Sequence, residues 1–364
     1  MAWFLAAVYG WLVLTAISNR LLMIRPRPST SPLNFCILIP ARNEAQNLRQ
    51  LLPALHGVKV YVFDDESSDG TAELAASLGA TVIRGGLLEP GWTGKNRACH
   101  ELAKIAAEDS SAEWILFLDA DMRVEPSFVE AVQGLIEDVG KRAPVISGFP
   151  RMIPGHGLEP LYTSWVPWIL LATNPFGLVS RTGKGHNRFT NGQFTLWRAS
   201  TYWDLMPNQQ VKDRILEDVL IGRMLAKQGV RTEVVDVSPY LATRMYASLR
   251  KGLDGMSKNS YEIMGGMGGT VAMALALLFI GWGWALGGGW APWLAGSLVL
   301  SKLVTDFQTY FGRSGGAIRW LWVPLLMPIT AMLASLTFLR SAVWHRRGQV
   351  HWKGRTYPSE VRKE

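Results

Sequence analysis

Two cysteines, Cys36 and Cys99, are all that the 364 residues carry. That is too few for a disulfide-rich secreted scaffold and too few for a cysteine-based zinc site. Charge is also sparse, at 18% of residues against 48% hydrophobic, so the chain is not a disordered one. No G-x-G-x-x-G follows the first strand-like run, which speaks against a dinucleotide dehydrogenase. No G-x-x-x-x-G-K-[ST] is present, which excludes an ordinary P-loop ATPase. No basic run interleaved with aromatics marks a nucleic-acid face, and there is no internal repeat or low-complexity stretch.

The formal charge is nevertheless +8, and Trp is abundant at 16 residues. Trp gathers where apolar and wet surroundings meet, the membrane interface included. Arg20, Arg25 and Arg27 follow the first apolar segment, and Arg340, Arg346 and Arg347 follow the last. That is the positive-inside pattern. Residues 1–19 hold no charged side chain and no basic n-region precedes them, so 3–24 reads as a retained transmembrane helix with its basic end cytoplasmic. Residues 263–301 are uncharged and too long for one span of ~20 residues. Gly287, Gly288, Gly289 and Pro292 suggest a hairpin of two helices there. Residues 320–339 read as a further apolar helix kinked by Pro324 and Pro328. Three spans after a cytoplasmic domain would leave the basic tail outside, so either one of these segments is re-entrant or interfacial, or the positive-inside rule fails here. The Trp- and Pro-rich stretch 160–180 reads either as a core helix or as an interfacial segment beside a lipid-acceptor groove.

Between the apolar ends, residues 34–236 alternate strand and helix patterns. Apolar runs at 35–39, 58–63, 81–83 and 114–118 each end in turn residues, and helical patterns follow Asn43, Asp69 and Lys95. This predicts an α/β domain with a mostly parallel sheet. Ligands of such sheets bind beyond the carboxyl ends of the strands. Three polar clusters fall there: Pro40-Ala41-Arg42-Asn43-Glu44, Asp64-Asp65 and Asp119-Ala120-Asp121. Two carboxylates in D-x-D suit a hard divalent cation, Mg²⁺ or Mn²⁺, shared with substrate phosphates. Lys95, in Gly91-Trp92-Thr93-Gly94-Lys95, stands at a helix N-terminus suited to an anion. Glu217-Asp218 opens another helix, where a carboxylate serves as a dipole partner or as a general base. Asn191-Gly192-Gln193 precedes an apolar strand, as a plain turn or as a border of the acceptor site.

In this order P-A-R-N-E, D-D-x-S-S-D-G-T, G-W-T-G-K, D-A-D and E-D resemble glycosyltransferase family 2, over roughly residues 34–262. Arg244-Met245-Tyr246, Gly255-Met256-Ser257-Lys258-Asn259 and Trp352-Lys353-Gly354-Arg355 resemble its membrane-anchored branch of 4,4'-diaponeurosporenoate and hopanoid-associated glycosyltransferases. The resemblance implies a Rossmann-like GT-A fold. Pro40, Glu44, Asp64 and Asp65 would line the nucleotide pocket, with Lys95 and Glu217 completing the donor site. Asp119 and Asp121 would hold the metal and the diphosphate, and Asp218 would be the base of an inverting displacement. Processive members carry Q-x-x-R-W, which is absent here, so a single transfer is expected. Gln193, Arg244, Arg250, Lys353 and Arg355 are candidate diphosphate or acceptor contacts.

The expected organisation is an anchor at 1–27, the GT-A domain at 28–243 and an interfacial amphipathic helix at 244–262. C-terminal spans at 263–344 and a basic cytoplasmic tail at 345–364 follow. The expected donor is a nucleotide sugar, UDP-glucose first. The expected acceptor is a membrane lipid, a carotenoid or related isoprenoid, with a hopanoid, polyprenyl phosphate or glycerolipid as the alternative. A non-enzymatic scaffold that binds nucleotide sugars is the reading from another class. The expected location is the inner membrane, with the catalytic domain in the cytoplasm.

Overall fold

The computed structural model describes residues 1–109, 111–183, 187–246, 248–257, 260–310 and 320–347, and the backbone of 351–352 and 355–356. The chain divides into two compact units. One comprises 22–152 and 176–243, and the other 1–21, 153–175 and 244–364.

The first unit is built on a seven-stranded sheet in the order β3-β2-β1-β4-β8-β6-β9. Its strands are β1 (Phe35–Ala41), β2 (Lys59–Asp64), β3 (Thr81–Arg84), β4 (Trp114–Leu118), β6 (Val145–Phe149), β8 (Phe194–Arg198) and β9 (Thr232–Asp236). The β3, β2, β1 and β4 strands pair in parallel, and β8 runs against both β4 and β6. This is the mostly parallel α/β sheet that the apolar runs predicted. A second sheet, β5 (Met122–Val124), β10 (Leu241–Thr243) and β7 (Arg151–Met152), lies in the order β5-β10-β7.

Strand side chains alternate between faces, and the two cores follow that period. Ile37, Ile39, Val60, Val62, Leu116 and Leu118 pack on one face with Leu48 and Leu51. Cys36, Leu38, Tyr61, Phe63, Ile115 and Phe117 pack on the other with Ala98, Leu102 and Ala106. A sheet covered on both faces needs apolar residues at successive positions, which is why β1 and β4 read as unbroken runs. Pro40 lies beyond the last β1–β4 pair, Leu38 with Phe117.

The second unit holds three helical stretches long and apolar enough to cross a membrane: Ala2–Leu22, Met267–Thr309 and Met327–Arg346. The middle one is a hairpin. Met267–Trp282 and Ala291–Thr309 are separated by a 3-10 turn whose Gly288 leaves helical geometry at φ 58, ψ −130. The last helix begins at Met327 rather than at 320. Leu326 flanks it in a non-helical conformation and Pro328 stands in its first turn, where a missing N–H costs nothing. The stretch expected as one helix at 244–262 is two short ones, Leu249–Ser257 and Ser260–Ile263.

Contacts within this unit fix the helix directions. Tyr9 donates to the Ile280 carbonyl, and Trp3 packs on Trp290. Leu5, Leu294 and Met327 share one cluster, and Gly281 lies against Ala331 and Pro328. At the opposite end, Tyr261 donates its N–H to Ser341 Oγ and stacks on His345. Met267–Trp282 therefore runs against the other three helices. The Trp-rich segment belongs to this unit: Trp168 Nε1 donates to Ser301 Oγ, and Tyr162 and Thr163 bond Thr337 and Tyr310.

Candidate active site

Two groups of polar residues form at the carboxyl ends of β1, β2 and β4. The first joins the loops after β1 and β2. Asn43 N–H donates to Ser67 Oγ, Ser68 N–H donates to Asn43 Oδ1, and Glu44 N–H donates to Thr71 Oγ1. Asp69 accepts from the N–H groups of Ala45 and Thr71, so one carboxylate serves the start of two helices. Arg42 pairs with Asp65 at 3.4 Å and donates to its carbonyl. Asn43 (φ 54) and Glu66 (φ 56) take left-handed backbone, a cost that this web of bonds offsets. Asp64 and Asp65 are both buried. Asp64 Oδ2 accepts from Ser67 N–H, while Asp64 Oδ1 is buried without a hydrogen-bond partner among the described residues. Glu44 accepts from Asn47 Nδ2.

The second group centres on Lys95. Its Nζ lies 2.8 Å from Asp119 Oδ1, 3.1 Å from Glu217 Oε1 and 3.5 Å from the Gly192 carbonyl. Asp218 is fixed from two sides: Oδ2 accepts from Gly192 N–H at 3.1 Å and Oδ1 from Val219 N–H at 2.8 Å. Gly192 makes this convergence sterically possible. A Cβ there would stand 3.0 Å from Lys95 Nζ, 3.1 Å from Glu217 Oε1 and 3.4 Å from Asp218 Oδ2. Burial opposes the Lys95 charge, yet Asp119 and Glu217 outweigh it and hold the ammonium well above its usual range. Burial pushes the Glu217 carboxyl up, and the Lys95 charge works against that rise.

The sequence brings these residues together by three routes. Asp119 ends β4, and its N–H donates to the Gln193 carbonyl because β8 pairs antiparallel there, Leu118 opposite Phe194. Thr93 Oγ1 caps the helix that carries Lys95, accepting from Asn96 N–H and Nδ2. Asn96 Nδ2 also donates to the carbonyls of Val211 and Arg214, and its Oδ1 accepts from Asn208. This buried network ties the Lys95 helix to the loop before Glu217. Asn96, Asn208 and the latter's partner Tyr202 were not expected as site residues; only the position of Asn96 next to Lys95 hinted at a role.

Asp121 follows Asp119 in a tight turn, with Met122 N–H on the Asp119 carbonyl and Asp121 Oδ1 buried. Arg123 reaches from this turn to Asn47 Oδ1 and so links the two groups. Arg244 and Arg250 are exposed and belong to the other unit. Lys258, Asn259 and Lys353 lie outside the described residues, and Arg355 is described only as backbone in the two-residue strand Arg355–Thr356.

Among the described residues no three His, Cys, Asp or Glu side chains form a metal cluster. Mg²⁺ is ordinarily held by one or two carboxylates plus phosphate oxygens, so the Asp119–Asp121 turn still suits it in donor type.

Residues 36–204 match the family model described as Glycosyl transferase family 2. The 4,4'-diaponeurosporenoate glycosyltransferase of Staphylococcus aureus (strain MRSA252) is 27% identical over 353 residues, covering 88% of this chain and 87% of that protein. Mannosyltransferase PcManGT from Pyrobaculum calidifontis, solved with GDP-Man and Mn²⁺, is 14% identical with a TM-score of 0.48, over 94% of this chain and 97% of that one. S. aureus TarS 1-349 in complex with UDP is 14% identical with a TM-score of 0.42, over 88% and 95% of the two chains.

Proposed function

We propose that this chain, a glycosyltransferase by its family 2 domain at residues 36–204, moves one sugar from a nucleotide sugar to a lipid acceptor in the membrane. UDP-glucose is the donor of choice, and a carotenoid or related isoprenoid is the acceptor. The observation that carries the reading is the meeting of Lys95, Asp119, Glu217 and Asp218 around Gly192 at the end of β4. The likeness to an enzyme named for a carotenoid acid supports the acceptor class. So do the helices long and apolar enough to cross a membrane.

Asp64 Oδ1, buried and without a partner, suits a nucleoside N–H or hydroxyl donor, with Pro40, Glu44 and Asp65 forming the rest of that pocket. Asp119 and Asp121 would hold a divalent cation, which when bound offsets the charge growing on the leaving diphosphate. Lys95 adds a second cation beside the same oxygens. As the acceptor oxygen bonds the anomeric carbon, the bond from that carbon to the diphosphate breaks on the opposite face, and the centre inverts. Asp218 takes the proton from an acceptor hydroxyl. Gly192 and Val219 N–H groups hold its carboxylate in place for that task. A carboxylate acceptor has no such proton, and the base role of Asp218 is then not needed. The parallel directions of Ala2–Leu22 and Met327–Arg346 support a tail on the same, cytoplasmic side as the catalytic domain.

The test is transfer of radiolabel from UDP-glucose into lipid by the detergent-purified protein with Mn²⁺, with and without chelator. Chelator-sensitive label in a pigmented lipid is expected. Asp218→Asn should lower the rate about 10²–10⁴-fold with a hydroxyl acceptor while UDP binding persists. Full activity in that variant would remove the base. Failure of every nucleotide sugar would remove the transferase reading.

A further inference from the structure

The ammonium of Lys95 occupies the place where a cation is wanted. It sits 2.8 Å from one oxygen of Asp119, the residue assigned above to a divalent ion, and 3.1 Å from Glu217. The position is built rather than incidental. Thr93 and Asn96 fix the start of the lysine's helix, Asn96 ties it to the Val211 and Arg214 carbonyls, and Gly192 leaves the space that the ammonium fills. A divalent ion brought to Asp119 would be repelled by this charge at close range. The position is also exchangeable. The Lys95 side chain keeps 35% of its exposure, and Lys is a flexible point charge that binds phosphate readily.

We propose that Lys95 is a resident cation of the donor site. It holds Asp119 and Glu217 until a nucleotide diphosphate draws the ammonium onto its own oxygens, so that a divalent ion enters only in company with the nucleotide. This rests on the donor and metal roles proposed above, and it adds an order to them. In the donor-free site the Lys95 charge offsets part of that of Asp119 and Glu217, and free metal is disfavoured there. The diphosphate supplies the anions that allow two cations to share the turn. Lys95 is thus a positioning residue for metal entry as well as a donor contact.

Mn²⁺ binding to the full-length, detergent-purified protein, followed by electron paramagnetic resonance with and without UDP, tests this. Lys95→Met should bind Mn²⁺ without UDP about tenfold more tightly than the wild type, because the resident charge is gone. Lys104→Met removes a charge paired with Glu101 on the same helix and should change the affinity less than about twofold, since an exposed charge at that distance is screened. UDP should tighten Mn²⁺ binding far more in the wild type than in Lys95→Met. Lys95→Gln provides a second variant should the methionine disturb folding, and an unchanged thermal midpoint in detergent reports an intact fold in each. An unchanged or weaker UDP-free affinity in both Lys95 variants overturns the proposal. If the wild type binds Mn²⁺ with UDP and the variants gain nothing without it, only the resident-cation role falls. If no form binds Mn²⁺ even with UDP, the metal role of Asp119 and Asp121 falls with it.

Discussion

Lys95 and Lys302 are both held by carboxylates, and they differ in access. Lys95 pairs with Asp119 and Glu217 in the catalytic unit and remains 35% exposed. Lys302 pairs with Asp306 one helical turn away, inside the helix Ala291–Thr309, and is fully buried. Leu298, one turn before Lys302 on the same helix, belongs to an apolar cluster with Trp168 and Met327. The chemistry is the same in both places. What differs is whether a ligand can take over one partner. An open pair can be exchanged for a diphosphate and a metal. A sealed pair cannot be parted without leaving a charge in a medium that does not solvate it. Burial therefore makes one pair a candidate switch and the other a fixed pair within a single helix.

The sharpest way to break the comparison is to open the sealed pair. Lys302→Met leaves Asp306 buried without its cation. It should cost about 3–5 kcal/mol, read as a lowered thermal midpoint in detergent or as failure to accumulate. The double variant Lys302→Met/Asp306→Leu should recover most of the loss, because two apolar side chains need no partner. A single variant as stable as the wild type would show that the pair stabilises nothing. At the open pair the expected damage falls on rate instead. Gly192→Ala adds one methyl group 3.0–3.4 Å from Lys95, Glu217 and Asp218 and changes no charge. Displacements of about 1 Å can cost on the order of 10²-fold in rate, so sugar transfer should fall by about that factor with little change in thermal midpoint. Unchanged transfer would mean that the three side chains do not work from the positions they hold.

The sequence exposes the open site more readily than its wiring. Strands β1, β2 and β4 were legible as apolar runs because both faces of the sheet are covered, and their polar ends marked the candidate residues directly. The antiparallel course of β8 was not legible, since a buried run looks the same in either direction. Yet that course sets Gln193 on Asp119 and Gly192 on Asp218. Lys95 read as a place for an anion by its helix N-terminus, whereas its nearest charges are carboxylates that arrive from residues 24 and 122 positions away. The hairpin in 263–301 was signalled by its glycines. The start of the last helix at Met327 was not, because Pro324 and Pro328 both suit a break and only packing chooses between them.

The smallest expected effect concerns the loop that presents Lys95. His100 lies on the same helix, its ring 5.4 Å from that of Trp92 and 6.3 Å from that of Trp203. It is buried, and its Nδ1 has no hydrogen-bond partner among the described residues. Burial first, and the nearby Lys104 charge second, hold its pKa below the ordinary 6.5, while Glu101 and Glu89 pull weakly the other way. The folded state therefore prefers the neutral ring. This contribution is complete above the unfolded value of 6.5 and is lost as pH falls through the lower folded value. His100→Phe keeps an aromatic ring between the two tryptophans and removes the titration. The wild type should lose thermal midpoint relative to His100→Phe between about pH 8 and about pH 5, with the divergence beginning below 6.5. A difference that stays flat across that range would mean that the ring is as well solvated in the folded chain as in the unfolded one. The Gly91–Lys95 loop would then owe its position to its other contacts, the Thr93 and Asn96 bonds among them. A divergence would mark the aromatic contact as a second support of the open pair, one that protons can weaken.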